Sequence, residues 1–287
     1  MAQRFFPISL ILISLPVGAE QLFENSESAP LLYSPTSLSF GVGSESSGYQ
    51  DMSLDVRHGL SRESRLFAGI GQGTYSDDLS DYTQESYFVG FGTSPLRSVD
   101  INMEYAYWDQ GGLLTSDTIK GVVEYISPTF SVAVLPEIRY ISMESDASTG
   151  RVGIRNPGLG FQGKLFAMRQ LSFEFSRYMY RYSSDTDALQ SYPRRTGTPT
   201  SHGNDQFDKR RTILAASYSF PEWTVSLEWL EGVTATDESI YNTLSTVLLW
   251  DLNRAWGVQV RLGETSYRSQ PQLENATYGN FGFNYRW

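Results

Sequence analysis

The feature that most constrains this chain is a repeat of about ten residues in which apolar and polar side chains alternate, each repeat ending in a turn. The pattern begins near Thr36 and continues to Trp287. Alternation with a period of two places successive side chains on opposite faces of a β-strand. Downstream of the N-terminus there is no run of the roughly 20 apolar residues that a membrane-spanning helix needs. An all-β fold is therefore expected.

The alternation predicts fourteen strands. Their approximate ranges are 36–43, 51–57, 64–75, 85–93, 99–109, 117–126, 130–143, 151–166, 171–182, 210–220, 223–230, 240–251, 256–265 and 275–287. A strand tilted across a bilayer uses about 9–11 residues, which this spacing allows together with a connection for each strand. Because strand boundaries read from a sequence carry an error of a few residues, twelve and sixteen strands remain open.

The connections between these strands are of two kinds. Tight turns are expected at 58–63, 94–98, 127–129, 167–170, 221–222 and 252–255. Longer polar connections are expected at 44–50, 76–84, 110–116, 144–150, 183–209, 231–239 and 266–274. Short turns at one rim and longer loops at the other are typical of transmembrane β-barrels, in which the short turns face the periplasm.

The two faces of the predicted strands differ in character. In the strand at 130–143, Phe130 and Val132 lie on one face, whereas Glu137 and Arg139 lie on the other. A soluble sandwich or a small ligand-binding barrel would turn its apolar face inward, but fourteen strands enclose more space than side chains readily fill. We therefore predict a transmembrane antiparallel up-and-down β-barrel, apolar outside and wet inside.

The strand predicted at 171–182 does not follow the pattern throughout. Phe173 and Phe175 share a face, but Arg177 and Arg181 continue that same face. Two explanations are open: either a bulge near Ser176 reverses the register, or the strand leaves the membrane at this point.

The N-terminus has the pattern of a secretory signal peptide. An early arginine precedes an apolar run over 5–17, and small residues precede a cleavage expected after Ala19. An uncleaved anchor helix is disfavoured because Pro7 and Pro16 interrupt the run. The predicted organisation is a signal peptide (1–19), a periplasmic N-terminal extension (20–35) and an outer-membrane β-barrel (36–287).

The last strand carries the most specific signal in the sequence. Phe281, Phe283, Tyr285 and Trp287 lie on one face of it. This resembles the C-terminal strand of Gram-negative outer-membrane β-barrels, whose terminal aromatic is read by the barrel-assembly machinery. The resemblance implies that these four aromatics form the assembly signal and that the machinery is a partner. It also implies a bacterial outer-membrane location in contact with lipid and lipopolysaccharide; the alternative is an edge strand of a soluble sandwich.

In size, strand number and acidic charge the chain is similar to monomeric fourteen-stranded porins, and more loosely to oligosaccharide porins. That similarity implies a single-chain pore for sugars or other small hydrophilic solutes, with a monomer favoured over a trimer. No residue motif identifies a subfamily. The net charge of -10 argues against nucleic acid as a partner.

The charged residues predicted to face inward are candidates for lining a pore. They are Asp55, Arg57, Asp100, Glu104, Lys120, Glu124, Glu137, Arg139, Lys164, Glu174, Glu228, Arg261 and Arg286. Opposed charges around a wet lumen can sort small polar solutes. Alternatively, they form ion-pair ladders that hold the lumen together and conduct nothing. Their near balance argues against strong selectivity for anions or cations.

Three functions follow as hypotheses. The first is passive diffusion of small hydrophilic solutes. The second is a non-conducting structural or partner barrel of an export or assembly system, docking another protein through 20–35 or 183–209. The third is an outer-membrane hydrolase, for which His202 and Asp205 would be the candidates because His58 falls at a periplasmic turn.

An enzyme is not expected, since neither histidine is accompanied by a serine signature. The sequence contains no cysteine and shows no metal-ligand spacing, phosphate loop or nucleotide fingerprint, so no metal or cofactor is predicted.

Overall fold

The computed structural model describes residues 36–76, 81–111, 114–144, 151–182, 207–235, 238–267 and 275–287. The predicted signal peptide and N-terminal extension lie outside the described residues, as do His202 and Asp205. The predictions made for them stay predictions. Within the described ranges, no helix is both long enough and apolar enough to cross a membrane.

Fourteen antiparallel strands form one sheet that closes on itself. The strands are β1 (Ser37–Glu45), β2 (Tyr49–Gly59), β3 (Ser64–Ser76), β4 (Asp81–Leu96), β5 (Val99–Gln110), β6 (Leu114–Ile126), β7 (Phe130–Glu144), β8 (Arg151–Phe166), β9 (Leu171–Tyr180), β10 (Asp208–Ser219), β11 (Trp223–Thr234), β12 (Ile240–Asp251), β13 (Trp256–Tyr267) and β14 (Ala276–Arg286). Each strand pairs with its neighbours in sequence. The predicted up-and-down barrel of fourteen strands is confirmed, and the alternatives of twelve and sixteen strands are excluded.

The barrel closes where β1 pairs with β14. The register runs from Ser37↔Arg286 to Glu45↔Tyr278 without a shift. Just beyond both strands, Thr36 and Trp287 exchange backbone hydrogen bonds of 3.2 and 3.0 Å. Closure satisfies the backbone groups of both edge strands, which a lipid environment requires.

Several strands are longer than the sequence predicted, and several connections are correspondingly shorter, including those predicted at 76–84, 110–116 and 231–239. β4 extends to both sides of 85–93, and β11 continues to Thr234 rather than ending at 230. The outward positions beyond the predicted ends include the polar Thr83 in β4 and Glu231 in β11, so the apolar alternation did not reveal the extra residues. β1 and β2 are joined by only residues 46–48, with Gly48 at a φ of 91°. The longer loop predicted at 44–50 is therefore wrong, because this is a tight turn that uses the conformational freedom of glycine.

The outward face of the barrel is an apolar belt. On β7, Phe130, Val132, Val134, Ile138 and Tyr140 are each between 41 % and 50 % exposed. An exposed apolar surface that runs around a whole sheet is what a transmembrane barrel presents to lipid.

Aromatic rings in close contact mark the rim that carries the short turns. Phe220 and Trp223 have ring centroids 3.7 Å apart, and Trp256 lies 4.2 Å from Tyr285. Aromatic girdles of this kind sit at the membrane–water interface. Phe281 and Trp287 of the predicted assembly signal are outward-facing and exposed; their role in assembly stays a prediction.

The register of β9 is continuous along its whole length. It pairs with β8 from Gly158↔Tyr180 to Phe166↔Ser172 without a shift. Its pairing with β10 is equally regular along β9. The bulge proposed near Ser176 is therefore wrong, and Arg177 stays on the outer face.

The β6–β7 ladder is irregular at Pro136, over the two residue pairs Gly121–Pro136 and Val122–Leu135. The β6–β7 ladder is interrupted between Lys120↔Glu137 and Val123↔Val134, but the register is the same on both sides. Proline has no backbone N–H to donate, so the ladder loses a bond without slipping. True register shifts lie nearer the rims, between Asp208 and Arg210 and between Thr93 and Leu96.

Candidate functional site: the barrel lumen

The inner face of the barrel carries the polar side chains. All thirteen residues predicted to face the lumen occupy strand positions opposite in parity to the apolar belt. Several of them contact a residue two strands away, as Arg261 on β13 does with Glu228 on β11. Such a contact passes over the intervening strand, which only the concave side of a barrel permits. The inner face is therefore the candidate functional site.

Ion pairs are distributed around this face. They include Arg65–Asp100 (2.6 Å), Lys120–Glu104 (3.5 Å), Arg261–Glu228 (2.9 Å), Arg139–Glu137 and Arg286–Asp251. Each brings one basic and one acidic side chain together, so opposite charges are neutralised locally rather than segregated. The members Arg65 and Asp251 were not among the predicted residues. They lie next to the short turns, at the ends of the strands predicted at 64–75 and 240–251.

The Arg65–Asp100 pair is the most fully hydrogen-bonded. Arg65 Nη1 and Nη2 donate to the two carboxylate oxygens of Asp100 at 3.1 and 2.6 Å, and Nη2 also donates to Asn102 Oδ1 at 2.8 Å. Ser94 Oγ and Asn102 Nδ2 donate to the same carboxylate at 2.6 and 2.7 Å. Bidentate charge-assisted bonds of this kind are among the strongest that side chains make. The group ties β3, β4 and β5 together near the short-turn rim.

A second group is buried in the middle of the wall. Arg139 and Glu137, which are 4 % and 6 % exposed, form an ion pair on β7. Tyr180 on β9 bridges both, because its hydroxyl accepts from Arg139 Nη2 at 2.9 Å and donates to Glu137 Oε2 at 3.2 Å. The Tyr180 ring also lies 4.4 Å from the Arg139 guanidinium. Neutralisation and hydrogen bonding together make the burial of these charges tolerable.

A third group surrounds Lys164, which is 4 % exposed. Its register partner across β8 and β9 is Glu174, which accepts from Gln162 Nε2 at 3.0 Å. Glu124 on β6 is 3 % exposed and lies close enough to act on Lys164 electrostatically. One buried cation therefore has two carboxylates in its neighbourhood on this side of the barrel.

Asp55 and Arg57 lie on the inner face of β2. Asp55 stands beside Gly69 of β3, where its Oδ1 lies 2.2 Å from the position that a glycine Cβ would take. Arg57 is two positions closer to the short-turn rim. The structure thus brings the predicted residues into several separate groups around the wall, rather than into one constriction.

Aromatic rings on the inner face lie flat over glycines of the adjacent strand. The register partners are Phe88–Gly69, Phe67–Gly90, Tyr180–Gly158, Tyr178–Gly160, Tyr241–Gly232 and Tyr278–Gly263. A Cβ added to any of these glycines would lie 2.1–2.6 Å from a ring atom. Glycine in a strand often marks such a close approach. Each of these glycines therefore leaves room for the ring of its register partner.

The wall is unevenly filled. On β5–β9 the inner face carries packed apolar clusters, which include Trp108, Leu114, Ile141 and Leu135. The inner face of β14 and β1–β4 carries many small residues between larger ones such as Phe67 and Arg57. The small residues include Ser37, Ser39, Gly41, Gly43, Ser53, Gly71, Gly92 and Gly282.

Catalytic chemistry finds little support in the described residues. His58 is exposed at the short-turn rim, where its Nδ1 is hydrogen-bonded to Thr36 Oγ1 at 3.0 Å. Across the described ranges, no group of three or more His, Asp or Glu side chains is arranged to hold a metal ion.

Comparison with known proteins rests on structure alone. No protein-family model matches the sequence and no curated protein is similar to it. The barrel is similar to the "CymD monoaromatic hydrocarbon channel", with a TM-score of 0.56 and 8 % identity over 94 % of this chain and 92 % of that one. It is also similar to a "Bacterial polysaccharide outer membrane secretin", with a TM-score of 0.53 and 11 % identity over 88 % and 98 %.

A weaker likeness is to the "KdgM porin", with a TM-score of 0.45 and 10 % identity over 87 % of this chain and 98 % of that one. The structural neighbours are thus outer-membrane channels and porins. At these identities the likeness establishes the fold, a closed outer-membrane-type barrel, and identifies no subfamily.

Proposed function

We propose that this protein is a channel of the bacterial outer membrane through which small hydrophilic solutes diffuse passively. The observation that carries the proposal is the contrast between the two faces of a closed fourteen-strand wall. The outer face is an apolar belt, and the inner face holds charges neutralised in pairs. A polar lumen inside a lipid-facing barrel is the arrangement of water-filled pores.

Strand number supports an open lumen. Side chains just fill a barrel of about eight strands, and barrel diameter grows roughly linearly with strand number, so fourteen strands give a diameter roughly 1.75 times larger. The small residues of β14 and β1–β4 take up little of that width. The free cross-section is therefore expected beside this small-residue wall.

The charge pairing supports weak ion selectivity. Lys120 and Glu104 are the most solvent-accessible oppositely charged pair away from the rims, with side chains 27 % and 25 % exposed. Solutes passing them meet a dipole and no net charge. Sugars and other neutral polar solutes are therefore the class that this lumen fits, since no charged ring selects against them.

The direct test is reconstitution. We expect the purified barrel to give conductance steps in a planar bilayer, with a reversal potential near zero in a salt gradient. We also expect liposomes containing the barrel to swell in small sugars and to swell progressively less as the sugar grows. A folded, correctly inserted barrel that neither conducts nor admits sugars would refute the proposal.

Under the same proposal the protein acts as a monomer, reaches the outer membrane by a cleaved signal peptide and has no catalytic role. The competing partner-barrel hypothesis needs a docking segment. Deleting 20–35 and repeating a pull-down from membranes tests it, because a specific partner lost with this segment would favour that hypothesis. A hydrolase would require an activity that disappears on His202→Ala replacement.

A further inference from the structure

Four arginines point outward from β8–β10, on the face that elsewhere carries the apolar belt. They are Arg155, Arg177, Arg181 and Arg210, and all four are exposed. We propose that this arginine cluster binds the phosphate groups of lipopolysaccharide in the outer leaflet. The inference rests on the outer-membrane location proposed above.

The strand register gathers the cluster around one methionine. Arg177 and Arg181 flank Met179 at two positions on either side, so the three share the outer face of β9 and its continuation. Arg210 is the direct partner of Met179 across β9 and β10. Residues in such adjacent and diagonal positions lie about 5–8 Å apart. That spacing allows several guanidinium groups to reach one phosphate-bearing headgroup.

Arg155 extends the cluster onto β8. The backbone N–H of Arg181 donates to the carbonyl oxygen of Pro157 at 2.9 Å, which fixes these two residues opposite each other. Arg155 lies two positions from Pro157 on the same face and is therefore diagonal to Arg181. Its own partner on β7 is Tyr140, an outward-facing ring that is 50 % exposed. The cluster thus borders an interfacial tyrosine.

Within the part of the chain that the structure describes, the four side chains have no acidic partner. The nearest acid by register is Glu231, diagonal to Arg210, and no ion pair joins them. The adjacent Lys209 differs, because it is paired with Glu238 and holds the pKa of that carboxyl below its ordinary value. A charge on the lipid-facing surface of a barrel is costly except near the interface. Four such charges in one place call for a counter-ion.

The height of the cluster matches the headgroup region. With about 3.3 Å per residue and a tilt of about 40°, Arg177 lies about 15 Å and Arg181 about 25 Å above Leu171 along the membrane normal. An apolar band is about 25 Å tall, so the cluster occupies its upper part, and the lower side chains can extend upward to reach the headgroups. The cluster lies on the loop side, away from the short turns. That side faces the outer leaflet if the short turns are periplasmic.

The surroundings indicate an amphiphile rather than a soluble anion. Exposed apolar side chains lie directly beside the arginines: Leu159 and Phe161 on β8, Phe175 on β9 and Leu214 on β10. A ligand that offers phosphates to the guanidinium groups and acyl chains to the apolar residues satisfies both surfaces. Lipopolysaccharide has both parts.

The outer face of β4–β6 differs from this sector. On β4–β6 the outward charged residues are acids that accept from tyrosine hydroxyls, as Glu85 does from Tyr87 at 2.7 Å and Asp109 from Tyr107 at 3.2 Å. An anionic headgroup would be repelled there. Binding is therefore expected in one sector of the barrel, over β8–β10.

The test compares two variants with the same loss of charge. In the first, Arg155, Arg177, Arg181 and Arg210 are all replaced by Gln. In the matched control, the exposed arginines of the short-turn rim are replaced by Gln: Arg62, Arg97, Arg169 and Arg254. Native mass spectrometry then measures the lipid A retained by each folded barrel. We expect retention to fall by about tenfold or more in the cluster variant and to stay at the wild-type level in the control.

The probes separate lipid from free phosphate. Bisphosphorylated lipid A should bind the wild-type barrel, lipid A without phosphates should bind poorly, and inorganic phosphate should not displace the first. Equal retention by the cluster variant and the wild type would overturn the inference. So would equal loss in the control, which would indicate a bulk charge effect, or equal binding of the dephosphorylated lipid.

Conductance recorded on the same preparations keeps the two proposals apart. If the barrel conducts but the cluster variant retains as much lipid A as the wild type, the lipid site alone is refuted. A silent barrel that retains lipid A through the four arginines refutes the channel alone. If the Gln variant does not fold, an Arg→Lys variant of the four positions preserves the charge but loses bidentate geometry, and it should retain lipid A at an intermediate level.

Discussion

Tyr180 lies flat on Gly158, its direct partner across β9 and β8, and a Cβ on that glycine would stand 2.4 Å from the tyrosine ring. The same tyrosine hydroxyl bridges the buried Arg139–Glu137 pair. The glycine therefore determines where the tyrosine lies, and the tyrosine in turn completes a charge network in the wall.

Gly158→Ala should destabilise the barrel by about 1–3 kcal/mol, because the added methyl overpacks the wall and pushes Tyr180 off its hydrogen bonds. Unfolding of the refolded barrel in denaturant measures the change. Gly163→Ala on the same strand is the control, since a Cβ there has nothing within 4 Å. In a Tyr180→Ala background, Gly158→Ala should become nearly neutral; an undiminished cost there would show that the ring is not responsible.

Asp51→Asn should raise stability by about 1–3 kcal/mol, the reverse of the usual effect of changing a buried residue. Asp51 is fully buried, neither of its carboxylate oxygens accepts a hydrogen bond from a described residue, and Glu45 lies nearby. Folding must either bury this charge without a hydrogen-bond partner or protonate the carboxyl, and a neutral amide avoids both costs. Thermal unfolding in detergent measures it, and a destabilised variant would contradict the prediction.

Asp100→Asn should act in the opposite direction, lowering stability by about 1–3 kcal/mol. Its carboxylate accepts from Arg65, Ser94 and Asn102, so the substitution leaves a buried guanidinium without its anion. The same unfolding assay applies. Two buried aspartates on one inner face would then respond with opposite signs according to their hydrogen-bond donors.

Glu104→Gln should make the channel anion-selective and Lys120→Gln should make it cation-selective, because each leaves the other member of an accessible pair uncompensated. The sign of the reversal potential in a salt gradient reports the change. Glu238→Gln serves as the control, since Glu238 is an exposed loop residue paired with Lys209. Identical reversal potentials in all variants would place the Lys120–Glu104 pair outside the permeation path.

Arg261→Met should lower the free energy of unfolding by about 3 kcal/mol or more, because it leaves Glu228 without its cation on a largely buried surface. Changing both residues to apolar ones of similar volume should restore most of that stability. Urea unfolding of the two single variants and the double variant forms the required cycle. Additive losses would show that the two residues do not act as a pair.

The fold was predictable from residue order because alternation and closure are local rules repeated fourteen times. Apolar residues at alternate positions, such as Phe130, Val132 and Val134, indicate a lipid-facing strand. The even strand count and the unequal connections then predict a closed barrel with its short turns at one rim. The inward parity of the charged residues follows from the same rule. The identity of each ion-pair partner does not follow from this rule, because Arg261 contacts Glu228 across an intervening strand. That choice depends on strand register and barrel curvature, which no sequence spacing encodes.

Three features of the structure were not predicted correctly from the sequence. At Arg177 and Arg181 the outer face turns basic while the register continues, so polarity alone suggested a bulge. Arg65 and Asp251 lie at the ends of predicted strands, and the sequence does not show that each has a partner two strands away. The sequence does not reveal the role of Gly158, because that role depends on the Tyr180 ring that covers the glycine.

The seam between β1 and β14 bears on how such a chain folds. Asn284 Nδ2 donates to Ser39 Oγ at 2.7 Å across 245 positions of sequence, whereas every other strand pair joins sequence neighbours. Neighbouring hairpins can form in any order, but the seam requires both distant strands to be in place. Until then two unpaired strand edges remain open to other chains. The slow step is therefore expected to be the meeting of the two ends, and weakening the seam should increase aggregation before it alters the finished pore.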